Sequence, residues 1–233
     1  AYQDLEVEQE RSEDLLRNIL PDKIACQLKY ESQTIAESFA AVTVLFADIV
    51  GFTRLSGQIS ATELVELLNS IFSRFDRLAE HHGLEKIKTI GDAYMIVAGL
   101  PEPQADHTEA IAEMALDMQQ ALEEMNRTIP HQLQIRVGIH TGSAIAGVIG
   151  LKKFAYDIWG DTVNTASRME SHSLPGRIQV THEVYQRLRD AYVLEARGAI
   201  EIKGKGSMTT YFLTGRSTGE PPQQAASPQT TNL

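Results

Sequence analysis

The sequence predicts an α/β fold: a mixed, mostly antiparallel sheet with helices packed on it. Three observations carry this. Short runs of β-branched and apolar residues are separated by longer segments whose apolar residues recur at helical spacing. Their order (strand, helix, hairpin, helix, strand, helix, strand, helix, hairpin) returns the backbone to a sheet after every helix. The 233 residues, 42% of them hydrophobic, suffice to bury about 70% of the unfolded surface without staples.

Residues 1–20 are charged and helix-friendly, with apolar residues at Leu5, Val7, Leu15, Leu16, Ile19 and Leu20. They read either as the end of a helix that pairs with a partner or as a solvated helix, stopped by Pro21. Residues 22–30 make a second, short helix. AVTVLFADIV, residues 41–50, reads as a buried strand. Ser60 and Glu63 form a capping-box pattern before a helix on which Leu64, Leu68, Ile71, Phe75 and Leu78 share a face. KIKTI and AYMIVAG flank Gly91-Asp92 as a β-hairpin. Asp106 opens a helix with Ile111, Met114, Met118, Leu122 and Met125 on one face. Leu133, Ile135, Val137 and Ile139 alternate as a strand, and Gly142, Gly147 and Gly150 read as punctuation after it. Residues 162–172 read as helix and RIQV as a strand, and Thr181 caps a helix running to about Leu188. Residues 191–215 read as one or more hairpins. Residues 217–233, rich in Ser, Thr, Pro and Gln, read as a disordered tail.

The charge balance, 21 Lys+Arg against 31 Asp+Glu for a net −10, argues against nucleic-acid binding through a basic surface. Taken globally it also argues against a phosphate-rich ligand. One cysteine, Cys26, excludes an intrachain disulfide and fits a reducing, cytoplasmic setting. The run from Phe39 to Phe52 is too short for a membrane span and contains Asp48. The acidic start AYQDLEVEQE is not a signal peptide, and a first residue of Ala1 reads as a processed product or an excised piece of something longer.

Asp48 is the first chemical anomaly, because a carboxylate inside VLFADIVGF is costly unless paired or metal-bound. Alone, it reads equally as a satisfied structural Asp, and Asp92 alone as a turn residue. Together, two aspartates at strand ends can hold Mg²⁺ with substrate phosphates. Gly51-Phe52-Thr53 leads from the first aspartate toward a helix, a place where backbone N–H groups can cradle phosphate oxygens. The GxxxxGK[ST] pattern is absent, so this is not a P-loop. Asn164 and Arg168, four apart, share a helix face. They suit a phosphoryl group gaining charge, or are an ordinary surface pair. None of the seven histidines falls in a zinc pattern. His81 and His82 read as partners of a helix dipole, and His140 as a packing residue. Tyr156 and Trp159 read as interface or core.

FADIVGFT, EKIKTIGDAYM, RVGIHTG, YDIWGDTVNTASRM and EIKGKG occur in that order. Together they resemble the class III nucleotidyl cyclases across about residues 40–215. The resemblance implies a ferredoxin-like, palm-like cyclase core over residues 36–216, with residues 1–35 as a helical linker or signalling helix. It implies a homodimer with active sites at the subunit interface and two divalent metal ions, Mg²⁺ or Mn²⁺. The reaction would be cyclisation of a nucleoside triphosphate with release of pyrophosphate. Metal ligands match Asp48, Asp92 and the Ile49 carbonyl. The phosphate turn matches Gly51, Phe52 and Thr53, and the terminal phosphates match Arg136 and Lys203, with Lys205 nearby. From the other subunit, Lys88 and Asp157 match the base-reading pair, Asn164 the ribose-orienting residue and Arg168 the transition-state arginine.

The base choice also follows from chemistry. Lys88 only donates and ionised Asp157 only accepts. Adenine N1 accepts and its 6-amino group donates, whereas guanine presents the reverse and would be mispaired. The expectation is an adenylate cyclase acting on ATP, an output domain for signalling. A guanylate cyclase or a silent dimerisation module of the same fold are the alternatives. An upstream sensor domain in the full-length protein, and membrane attachment of that protein, fit the resemblance.

Overall fold

A computed structural model of the chain describes residues 11–12, 14–30, 35–150 and 154–217. Residues 1–10 of the leading segment, and the expected tail from residue 218, lie outside the described residues. The helices are α1 (Asp22–Tyr30), α2 (Phe52–Ser56), α3 (Ala61–His81), α4 (His107–Asn126), α5 (Asp161–Ser171) and α6 (His182–Leu188). The strands are β1 (Ala36–Ile49), β2 (Glu85–Ile90), β3 (Ala93–Ala98), β4 (Ile135–Ile149), β5 (Ala155–Trp159), β6 (Ile178–Thr181), β7 (Tyr192–Ile202) and β8 (Gly206–Arg216). They form one sheet in the order β2-β3-β1-β4-β6-β8-β7, with β5 paired to β4. Every pairing is antiparallel except β4 with β6, which α5 joins as a crossover.

Period-two alternation gives the sheet two apolar faces. On β1, Leu45, Ala47 and Ile49 join α3 and α4 through Phe75, Ile111 and Met118, and α6 through Val184 and Leu188. Val42, Val44 and Phe46 face the other way, onto α1 through Ile24 and Ala25 and α5 through Ala166. Asp48 has the parity of Val44 and Phe46, so it lies on the α5 face. The Ser60–Glu63 capping box is formed, with Glu63 N–H donating to Ser60 Oγ and Ser60 N–H to the Glu63 carboxylate. No helix among the described residues is long and apolar enough to cross a membrane.

The structure departs from the sequence reading in four places. β4 runs straight through Gly142 and Gly147 instead of ending before them. These glycines serve close approach: a Cβ on Gly147 would lie 2.2 Å from the Ile35 carbonyl oxygen. β5, absent from the sequence-derived order, pairs with that extension. Thr181 does stand at the start of α6, but its hydroxyl is 2.8 Å from His140 Nδ1 and makes no cap. His82 sits 2.8 Å from the Asp117 carboxylate, a closer partner than the helix dipole assigned to it.

Candidate functional site

β1 delivers Asp48 to its C-terminal end, where it lies opposite Ala93 on β3 and Arg136 on β4. The tight turn at Gly91, whose φ is 61°, carries Asp92 to the same corner. Burial, then the Asp48 carboxylate, push the Asp92 pKa up to about 6. Two carboxylates thus share a partly desolvated corner, which has a use for more positive charge than the protein supplies. Arg136 supplies some of it, with one terminal nitrogen donating to Asp48 Oδ2 at 2.7 Å. Its Nε lies 3.4 Å from Glu170 Oε1. Burial, then Asp48, push Glu170 up to about 7, while Arg136 opposes this.

The donor set fits a hard divalent cation. Asp48 and Asp92 offer carboxylate oxygens, and the chain at Ile49 offers a main-chain carbonyl. Among the described residues no three His, Cys, Asp or Glu side chains are grouped to hold a metal. A site with two carboxylates suits Mg²⁺ or Mn²⁺, which retain waters and take phosphate oxygens.

Just beyond, Gly51 at φ 72° starts α2, and its carbonyl accepts the N–H groups of Arg54 at 3.1 Å and Leu55 at 3.0 Å. The N–H groups of Phe52 and Thr53 have no acceptor among the described residues.

Lys88 Nζ donates to Asp157 Oδ2, and Ile158 N–H donates to Asp157 Oδ1 at 2.8 Å. A β-bulge makes this pair. Lys86 lies opposite Ile96 and Lys88 opposite Met95, with the register slipping at Ile87. Ile96 belongs to the α3–α4 face and Met95 to the α5 face. In a regular strand Lys86 and Lys88 would share a face. The extra residue sends Lys86 to Asp76 at 2.8 Å and Lys88 to Asp157.

Asn164 and Arg168 stand on one side of α5, whose buried side is Thr162, Thr165, Ala166 and Met169. Neither side chain has a hydrogen bond or ion pair among the described residues. Lys203, exposed in the β7–β8 hairpin, is equally unpartnered, while its neighbour Lys205 pairs with Asp161 at the start of α5. The chain therefore brings together Asp48, Asp92 and Arg136 as one group, and Lys88 with Asp157 as another. It leaves Asn164 and Lys203 exposed and Arg168 half-buried. Glu170 was not singled out from the sequence. Its signal, a position two residues past Arg168 and hence about 200° around the helix, has meaning only once the buried side of α5 is known.

Residues 34–215 match the family described as the adenylate and guanylate cyclase catalytic domain. The chain is 47% identical over 232 residues to an adenylate cyclase of Mycobacterium tuberculosis, covering 98% of this chain and 52% of that protein. It is 46% identical over 211 residues to the guanylate cyclase soluble subunit beta-2 of Rattus norvegicus, covering 90% of this chain and 31% of that one. It thus spans about half or less of the length of these relatives. Among solved structures it resembles the guanylate cyclase domain of RhGC from Catenaria anguillulae, crystallised with GTP. That match has 38% identity and a TM-score of 0.73, and covers 78% of this chain and 100% of the other.

Proposed function

The chain belongs to the adenylate and guanylate cyclase catalytic domain family, and from that premise we propose that it is an adenylate cyclase, converting ATP to 3′,5′-cyclic AMP and pyrophosphate. The observation that carries the choice of ATP is the Lys88–Asp157 pair, a donor beside an acceptor. Adenine N1 accepts a hydrogen bond from Lys88 and its 6-amino group donates one to Asp157, so both contacts are matched. Guanine would set donor against donor and acceptor against acceptor.

The reacting unit in this reading is a homodimer with two equivalent sites. Two features support it. Arg168 and Glu170 project from nearly opposite sides of α5, and Glu170 faces Arg136, which binds Asp48 within the same chain. Arg168 therefore faces away from them and serves the aspartates of a second copy. The β4–β5 hairpin also exposes Ile145, Trp159 and Ile149. Ile145 and Trp159 are direct cross-strand partners on the face that carries Asp157. That apolar strip gives the second copy a surface to bury.

Asp48, Asp92 and the Ile49 carbonyl would hold two divalent cations, which supply Lewis-acid stabilisation of the attacking oxygen and the departing phosphates. The chain's own residues do the rest. Lys88 and Asp157 fix the base, and Asn164 orients the ribose so that its 3′-oxygen is in line with the α-phosphorus. The O3′–P bond forms as the bond from the α-phosphorus to the bridging oxygen breaks, and the 3′-hydroxyl proton passes to solvent. Arg168 meets charge growing on the α-phosphate. Arg136, Lys203 and the free N–H groups of Phe52 and Thr53 hold the leaving pyrophosphate. The net charge of −10 is no obstacle, since the local sign is reversed by these cations.

Incubation with Mg²⁺ or Mn²⁺ and either nucleotide is the direct test. Cyclic AMP should form from ATP at a rate well above cyclic GMP from GTP, and product from GTP alone would overturn the base assignment. The leading helices are read as the input side of an output domain, driven by a sensor elsewhere in the full-length protein. Here α1 docks Ile24 and Ala25 on the α5 face of the sheet. Unchanged activity and dimerisation after deletion of residues 1–20 would remove that role.

A further inference from the structure

Arg136 is placed between three carboxylates but bonded to only one. Its contact to Asp48 is a short charge-assisted hydrogen bond at 2.7 Å. Its Nε and the facing Oε1 of Glu170 stop 3.4 Å apart. Both atoms are buried and neither has a hydrogen-bond partner. Buried polar atoms are rarely left this way, because the missing bond leaves their desolvation uncompensated. Two such atoms facing one another, a donor and an acceptor of opposite charge, form a bond that is nearly made.

Glu170 is not free to drift. Its side chain is 13% exposed, and its backbone lies against β4 at Gly138, where a Cβ would be 1.9 Å from Glu170 N. No residue but glycine allows α5 this close. The position of the Glu170 carboxylate relative to Arg136 is thus set by backbone contact, two residues along β4 from Arg136 itself.

Asp48 and Asp92, if they hold a divalent cation, would give it the oxygen to which Arg136 now donates, and like charge would push the guanidinium away. We infer that Glu170 is a positioning residue for Arg136, the carboxylate onto which the guanidinium transfers when the cation takes Asp48. A shift of about half an ångström closes the Nε–Oε1 gap to ordinary charge-assisted length. Arg136 then stays at the site with its terminal nitrogens released toward the phosphate tail. Without Glu170 the guanidinium has only Asp48 to bind and competes with the cation for it. The inference rests on the cyclase reading of Asp48, Asp92 and Arg136, but not on which nucleotide is used.

The test is a double-mutant cycle read by Mn²⁺ binding in the absence of nucleotide, followed by electron paramagnetic resonance. The proteins are the full chain, Glu170→Gln, Arg136→Gln and the pair together. Glu170→Gln should weaken Mn²⁺ binding about tenfold in the parent chain, and by less than about twofold when Arg136→Gln is present. Glu170→Asp, which keeps the charge, should restore most of the affinity, and Glu170→Ala carries the same cycle if Glu170→Gln does not fold. Equal weakening in both backgrounds would mean that Glu170 acts on the cation directly, and overturns the inference. So does a Glu170→Gln protein that binds like the parent. Failure to cyclise ATP with this Mn²⁺ pattern intact would overturn the nucleotide assignment alone.

Discussion

Exchanging the hydrogen-bond polarity of the base reader should exchange the substrate. The perturbation is Lys88→Glu combined with Asp157→Asn. The introduced carboxylate accepts guanine N1–H, and the introduced amide donates to guanine O6. Each reversed contact turns a matched buried bond into a mismatch for adenine and the opposite for guanine, at about 1–3 kcal/mol apiece. Two contacts give about 2–6 kcal/mol, a change of about thirtyfold to about twenty-thousandfold in the ratio of kcat/KM values. Stability should hardly respond. The Lys88 side chain is 42% exposed and Asp157 20%, so loss of their ion pair costs under about 1 kcal/mol. Lys88→Glu alone is expected to serve neither nucleotide, because it sets two carboxylates side by side. At 4 Å and an effective dielectric of 20 that repulsion is about 4 kcal/mol before screening. The assay is initial rates of cyclic AMP and cyclic GMP formation across nucleotide concentrations, with a thermal melt on each variant. A folded double variant that still prefers ATP by the parental ratio would refute the reasoning.

Asp48→Asn and Arg168→Ala should each abolish turnover, the latter mainly through kcat. Equal mixing should restore about a quarter of parental activity, since half the dimers are mixed and each has one intact site; no recovery would place both residues in the same chain's site. Glu85 offers a pH test. Burial, then the Asp22 carboxylate, raise it from 4.5 to about 7. The folded state therefore holds this proton more tightly, and stability falls as pH rises from about 4.5 through 7. At about 1.4 kcal/mol for each unit of pH, Glu85→Gln should be more stable than the parent by up to about 3 kcal/mol at pH 8. The gain should vanish near pH 4.5 in denaturant titrations, and a gain independent of pH would contradict the assignment.

Elements with a strong local signal were legible in the sequence. The apolar run of β1, the capped amphipathic α3 and the hairpin around Gly91-Asp92 all stand where their patterns put them. The continuation of β4 and the existence of β5 were not, because Gly142 and Gly147 weaken a strand by propensity. Their reason for being there, backbone pressed on backbone, is tertiary. The site divides the same way. Asp48 announced itself as a charge in an apolar run. Lys88 among several lysines did not, since a bulge invisible to alternation decides which of Lys86 and Lys88 faces Asp157. Glu170 acquires meaning only from the side of α5 that packs on Gly138.

The glycines of β4 have a mechanical consequence. At one end of the strand the leading segment rests on Gly147, with Val148 N–H donating to the Ile35 carbonyl at 3.0 Å. Toward the other end the last turn of α5 rests on Gly138. At neither joint is there a side-chain layer to compress, and close-packed backbone transmits strain instead of absorbing it. β4 is therefore a stiff strut between Ile35 and the helix that carries Arg168. A push delivered at Ile35 reaches that helix with little lost in play.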